Sequence, residues 1–285
     1  MTATLWRHAV DPEIARASLE TCIYRDDRHE IRICDVVARL HAAGQHVWVV
    51  GGACRDWLCG EPVRDMDLSV DRPIEEAHAI LRDAYPEIDP VLRRSESFGT
   101  LRWGGGAPGL MDLNILRSTS DIQNDDVWTT TFVARADLRD DALTRDFSVN
   151  TLYYACRGDG GDGTLLDPLH CGLDDVHARV LTIVTHPRML GATFVTTLRV
   201  VQFLCRGYTA APNTLEYLAR YADRDVQGMG DRLLRWLPNH IGRSGALVDE
   251  FRDRLEAFAR QQASRDVLER AFARLATDGA APGRP

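Results

Sequence analysis

Lysine is missing from this chain: across 285 residues, all 34 basic side chains are arginine. Chemistry that needs a Schiff-base lysine or the lysine of a P-loop is therefore excluded. Genomic base composition alone can produce such a bias, so it assigns no function. Paired cysteines are lacking too. The seven cysteines stand at 22, 34, 54, 59, 156, 171 and 205, an odd number without a C-x-x-C spacing. That argues for reduced, mostly buried thiols over disulfides or zinc. No apolar run is long enough to span a bilayer, and the opening MTATLWRHAVDPEIARAS holds no continuous apolar segment of the signal-peptide kind. A cytoplasmic protein with no membrane partner is expected. Positive charge is scarce as well. A net charge of −8 and a pI near 5.6 argue against a broad surface for long DNA, whose affinity comes largely from phosphate neutralisation.

What is present is an ordinary globular composition, 45% hydrophobic and 27% charged, on a chain long enough for a compact domain and a second helical unit. Residues 11–44 carry helix-like apolar spacing, with Ile31, Ile33, Val36, Val37 and Leu40 ahead of an Ala-Ala-Gly stop at 42–44, and lead into a strand at 47–50. Residues 73–84 form an amphipathic helix with proline in its first turn. Strand candidates follow at 90–93, 100–103 and 109–116, the last two joined by the glycines at 104–106. From about Asp141 the pattern turns helical, with 214–222, 231–237 and 244–276 containing little that reads as strand. The expected fold class is α/β (α+β), a head with a small mixed sheet and an all-helical C-terminal region. The expected domains are 1–180 with the N-terminal helices, a helical 181–276, and a frayed tail at 277–285.

The chemistry concentrates in one stretch. Val49-Val50-Gly51-Gly52-Ala53-Cys54-Arg55-Asp56 reads as strand, glycine turn and helix start, and Asp65-Met66-Asp67-Leu68 as a second strand soon after. Residues two apart on a strand share a face, so Asp65 and Asp67 present their carboxylates side by side. They repel unless a cation lies between them, and hard divalent ions take such oxygen ligands together with substrate phosphates. The N–H groups of a Gly51-Gly52 turn at a helix start suit a phosphate. Asp112 lies in the apolar run 109–116, where a buried acid needs a partner or a metal. Three carboxylates are what a pair of ions roughly 3.5–4 Å apart needs for in-line displacement. By itself a D-x-D pair marks a solvated strand end about as often as a metal site. The upstream glycine turn shifts that balance.

The ordered set Gly51, Gly52, Arg55, Asp56, Leu58, Gly60, Asp65 and Asp67 resembles the G-G-x-x-R-D and D-x-D motifs of one family. These belong to the head domain of class II tRNA nucleotidyltransferases and bacterial poly(A) polymerases, within the polymerase-beta-like nucleotidyltransferase superfamily. Phe98-Gly99-Thr100, then Asp112 with Arg117, then Asp141 with Arg145-Asp146-Phe147-Ser148-Val149-Asn150, and finally Asp167-Pro168, Gly172 and Asp175 match further blocks in order, over roughly residues 45–210. The resemblance implies a nucleotidyltransferase with Mg²⁺, or Mn²⁺, at Asp65, Asp67 and Asp112. It places Arg145, Asp146 and Asn150 near the ribose and triphosphate, and makes Arg55 and Asp56 an ion pair bracing the turn. Arg117 is either a ligand contact or a brace.

The departures bear on the acceptor. The alignment puts Thr193 and Thr196 where the family carries the Asp and Arg that read the incoming base, and a hydroxyl forms no charged bidentate pair with a base edge. Arg199 is either a helix residue or a substitute base reader. The neck motif has only Gly230-Asp231-Arg232-Leu233-Leu234-Arg235 as an approximation. The expected reaction is NMP transfer from a nucleoside triphosphate to an acceptor hydroxyl with release of pyrophosphate. The acceptor leans toward a small metabolite or specialised RNA over a standard tRNA CCA end. Two alternatives stay open. One is an RNA 3′-end polymerase of the CCA-adding or poly(A) kind, favoured by an arginine cluster at Arg232, Arg235, Arg243, Arg252 and Arg254. The other is an idle nucleotide-binding module.

Overall fold

The structure, a computed structural model, describes every residue except 1–5, 9, 64, 87–91, 96–98, 104–109, 119–130, 133–136, 159–162, 185–193, 243 and 280–285. The chain divides into two compact units, Met1–Ala178 and Arg179–Pro285.

The first unit is built on an eight-stranded sheet. Its strands are β1 (Trp6–His8), β4 (Val47–Val50), β5 (Asp65–Val70), β6 (Leu92–Ser95), β7 (Thr100–Trp103), β8 (Leu110–Ile115), β11 (Tyr153–Ala155) and β12 (Thr164–Asp167), in the order β1-β12-β11-β4-β5-β8-β7-β6. Only β5 and β8 pair in parallel; the other neighbours are antiparallel. A minor hairpin, β2 (Cys22–Arg25) with β3 (Glu30–Arg32), and the short pair β9 (Arg117–Ser118) with β10 (Thr131–Phe132) complete the unit's strands.

Helices begin where local chemistry satisfies their first N–H groups. Asp11 accepts from Glu13 N–H ahead of α1 (Pro12–Leu19), with proline in the first turn, and Asp35 reaches back to Arg32 N–H at the start of α2 (Ile33–Ala42). Helix α3 (Gly52–Cys59) buries Ala53, Cys54, Arg55 and Trp57, and ends at Gly60 in the left-handed region, where the chain can turn without a Cβ clash. Trp57 stands edge-on to Tyr154 of β11 at 5.3 Å and donates to Ser18 Oγ, which fixes α3 over the sheet. α4 (Ile74–Ala84), α5 (Leu138–Leu143) and α6 (Gly172–Ala178) complete the unit.

Two expectations change. The helix-like stretch 11–44 is two helices separated by the β2–β3 hairpin, because Asp26 accepts from both Arg28 and His29 N–H at 2.7 Å and closes a turn that the apolar spacing masks. The chain also does not turn helical at Asp141. Tyr153–Ala155 and Thr164–Asp167 are sheet strands, so the sheet is larger than the small one expected. Of the cysteines, all free, only Cys54 and Cys156 are buried. The Pro90 end of the expected strand at 90–93 and Phe98 fall outside the described residues.

The second unit opens with a parallel pair, β13 (Val180–Leu181) and β14 (Thr209–Ala210), and is otherwise helical: α7 (Thr196–Cys205), α8 (Pro212–Met229), α9 (Leu233–His240), α10 (Ala246–Phe258) and α11 (Gln262–Gly279). Its core gathers Leu198, Val201, Val226, Leu237, Phe251 and Leu268. Under it Asp225, fully buried, accepts from Thr197 N–H and Oγ1 and from Tyr217, with Arg224 on its other oxygen. Helix α11 runs three residues into the stretch expected as a tail. No helix among the described residues is long and apolar enough to cross a membrane.

One close approach is testable. A Cβ on Gly172 would stand 2.7 Å from Ser148 O and 3.1 Å from Leu152 Cδ2. Gly172→Ala should destabilise the protein by about 1–3 kcal/mol through overpacking, read as a lowered denaturant midpoint with an unchanged slope.

Candidate active site

The site lies along one row of the sheet. Tyr153 of β11 faces Val50 of β4, Val50 faces Asp67 of β5, Asp67 faces Asp112 of β8, and Asp112 faces Arg102 of β7. Directly opposed residues on neighbouring strands project to the same face. The row is therefore apolar at one end, where Val50, Tyr153 and Leu166 pack with Leu116 and Ala142, and ionic at the other. Asp65, two residues from Asp67, shares the face and is exposed, while Asp67 and Asp112 are half-buried. On the opposite face Met66, Leu68, Met111 and Leu113 enter the core.

Immediately after Val50 comes the glycine turn. Gly51 has φ +70°, a conformation that favours glycine, and α3 starts there without a side-chain cap. A Cβ at Gly51 would lie 3.5 Å from Arg145 Nη1 and 3.9 Å from Asp67 Oδ2. The uncapped helix start, an arginine and an acidic strand thus meet at one point.

Arg145 is held there by a buried carboxylate. Asp141, 2% exposed, accepts from Arg145 Nη2 at 2.8 Å and Nε at 3.2 Å, from the Tyr153 hydroxyl, and through its other oxygen from Arg117 N–H at 2.8 Å. Arg145 Nε also donates to the Tyr153 hydroxyl at 2.9 Å. Burial works against the charge on Arg145, but Tyr153 and Asp141 beside it outweigh burial, and its pKa rises. Burial, with Asp141 adding to it, pushes the Tyr153 hydroxyl well up and keeps it a neutral donor.

A second network braces α3. Arg55 donates to Asp56 Oδ1 through Nε at 2.9 Å and Nη2 at 2.6 Å, and to Asn150 Oδ1 through Nη1 at 2.5 Å; Asn150 in turn donates to Asp146 Oδ1 at 2.9 Å. Arg55 and Asn150 are 6% and 5% exposed. The structure thus places Arg55 with Asp56, the ion pair expected at the turn, and bonds Asn150, expected near the ribose and triphosphate, to the same guanidinium. Asp146, half-buried, also accepts from Phe147 N–H. Arg117 Nη2 reaches Asn114 Oδ1 at 3.4 Å, so its described contacts are bracing ones.

Among the described residues, no three His, Cys, Asp or Glu side chains converge closely enough to hold a metal ion. Asp112 supplies a physical reason. Arg102 donates to both of its oxygens, Nε at 3.0 and 3.1 Å and Nη2 at 2.6 Å. The donor set still fits a hard divalent ion: three carboxylates share a face, Asp67 and Asp112 are in register, and a cationic group already sits on Asp112.

Arg199 belongs to the second unit, half-buried on α7, and is not part of this row. Thr196 is 2% exposed at the start of the same helix; Thr193 lies outside the described residues. Within the expected arginine cluster, two members are ion-paired. Arg252 pairs with Glu256 and Arg254 with Glu250 one turn along α10, Arg232 donates to Gly228 O, and Arg243 is not described. Arg102 and Tyr153 were not singled out from the sequence. Their parts follow from strand register, which no local pattern reveals.

Residues 47–182 match the family described as the poly A polymerase head domain. The chain is 25% identical to a poly(A) polymerase I of Escherichia coli, over 76% of its own length and 48% of that protein's. It is 28% identical to a CCA-adding enzyme of Lacticaseibacillus paracasei, over 84% and 58%. It thus spans about half the length of the curated relatives it matches. Its fold is similar to that of the Thermotoga maritima CCA-adding enzyme complexed with tRNA, with a TM-score of 0.51 at 16% identity, over 88% of this chain and 53% of that one. The glycine turn and the acidic row fall inside residues 47–182, the stretch that is similar to the poly A polymerase head domain.

Proposed function

We propose that the first unit is the head of a metal-dependent nucleotidyltransferase that transfers NMP from a nucleoside triphosphate to an RNA 3′ end, with the second unit as its neck and body-like domain. The observation that carries this is the meeting of the uncapped Gly51 turn, Arg145 Nη1 and Asp67 at one end of the acidic row. Gly51 and Gly52 N–H groups receive phosphate oxygens, and Arg145, fixed by Asp141, adds a charged donor beside them. Asp65, Asp67 and Asp112 would hold Mg²⁺ or Mn²⁺. When bound, the ion neutralises charge on the triphosphate and eases ionisation of the acceptor hydroxyl. Asp112 takes the hydroxyl proton, the acceptor oxygen bonds to the α-phosphorus, the α–β P–O bond breaks, and pyrophosphate leaves.

The RNA acceptor replaces the small metabolite toward which the sequence leaned. The named activities of the relatives, poly(A) polymerase and CCA addition, support RNA, and nothing in them supports a metabolite. The burial of Thr196 favours transfer that does not alternate between C and A through that side chain.

Pyrophosphate release should be measured with each of the four NTPs and Mg²⁺, with and without RNA, including a tRNA lacking its 3′ terminus. RNA-dependent release with one preferred NTP is expected. Release only with a small-molecule extract would overturn the RNA acceptor, and ordered CMP and AMP addition would overturn the loss of C-to-A alternation. Asp67→Ala should abolish release while leaving the denaturation midpoint close to wild type; full activity would remove the metal assignment. Gly51→Ala should raise the KM for the NTP about tenfold, the scale of losing one hydrogen bond to a charged group.

A further inference from the structure

Arg102 stands opposite Asp112 on β7, the strand on the far side of β8 from β5. Its fork takes both oxygens of the carboxylate. The bond therefore holds Asp112 toward β7, while the carboxylate with which Asp112 would share a cation, Asp67, lies on the other side of β8. The pair is asymmetric in exposure: the Arg102 side chain is 64% exposed and that of Asp112 20%. The arginine can leave into water at little cost while the carboxylate stays. Arg145 and Asp141 make the contrast, with side chains 19% and 2% exposed and no such exit.

We propose that Arg102 is a built-in counter-ion that competes with the divalent cation for Asp112 and withholds this carboxylate from the site until an ion displaces the guanidinium. The inference rests on the assignment of Asp65, Asp67 and Asp112 to a cation. A doubly charged ion facing several carboxylates gains more Coulomb energy than one guanidinium facing Asp112, so displacement is favoured once the ion arrives. Without the ion, Arg102 offsets the charge of Asp112 beside its neighbouring carboxylates. The hydrogen bonds that Arg102 donates to Asp112 raise the Arg102 pKa, and Asp67 adds to this at longer range, so the guanidinium already senses both carboxylates. Nothing is consumed in the exchange. One cation replaces another, and Arg102 turns to solvent or to the phosphates that accompany the ion.

The test is Mn²⁺ binding to the full chain without nucleotide, read by the loss of the free-ion EPR signal, for wild type, Arg102→Ala, Asp112→Asn, their double variant and Asp67→Ala. Arg102→Ala should bind Mn²⁺ about threefold to tenfold more tightly, the scale of a partly exposed bidentate ion pair. The same change should do nothing in the Asp112→Asn background, because the competition acts through that carboxylate. Equal affinity in wild type and Arg102→Ala, with binding lost in Asp67→Ala, overturns the role of Arg102 and leaves the cation assignment standing. No Mn²⁺ bound by wild type or by Arg102→Ala overturns both. The exposure of Arg102 makes its removal compatible with folding, and matched denaturation midpoints verify this.

Discussion

The carboxylate of Asp141 is the constraint on which the first unit depends. Buried at 2% exposure, it is tolerable only because both oxygens are fully engaged, by Arg117 N–H on one and by Arg145 and Tyr153 on the other. Asp141 lies on α5 and its partners come from β9, the turn after α5 and β11, so one charge fixes the exit from β8, the helix over the sheet and the arginine beside the glycine turn. Removing one partner from such a cluster leaves an uncompensated buried charge, a loss of about 3–5 kcal/mol. The fold and the geometry at the glycine turn are thus held by the same atoms.

The row Tyr153–Val50–Asp67–Asp112–Arg102 shows how the sheet divides the labour. At the Tyr153 end α5 covers it and the side chains are apolar; past Val50 the face opens and the side chains are acidic. The change falls at the Gly51 turn. There a short β4 ends and a helix begins, so the only uncapped N–H groups of α3 lie beside the first carboxylates of the open part. Positive potential from the helix start and negative charge from β5 are adjacent, which is what a triphosphate carried with a cation needs.

Much of this was legible in the sequence, and the rest was hidden for definite reasons. Gly51-Gly52, Asp65 and Asp67 announce themselves because the signal is local: a strand period of two and a helix-start glycine lie within 17 residues of one another. Asp112 could be found as a buried acid, since Met111 and Leu113 flank it. Its partner could not, because Arg102 meets it only through the β7–β8 register. Arg55 reads as a brace and Asn150 as a ligand contact on motif position alone, whereas 95 residues of separation conceal that they bond each other. The β2–β3 hairpin and the strands at Tyr153 and Thr164 are three or four residues long, too short for periodicity to separate them from neighbouring helices.

The absence of lysine, which assigns no function, does bear on how the site is made. Arg145 turns Nε and Nη2 toward Asp141 and Nη1 toward the Gly51 turn, so a single side chain is anchored at one edge of its plane and directed at the site by the other. Arg55 bridges Asp56 and Asn150 in the same way, and Arg102 grips two oxygens at once. A lysine ammonium is a point charge on a flexible stem and cannot hold a fixed bearing between two partners. Planarity also separates the three cases by exposure. Where the fork is buried, as at Arg145 and Arg55, it is a rigid strut; where it lies in water, as at Arg102, the same geometry makes a contact that is specific and still reversible.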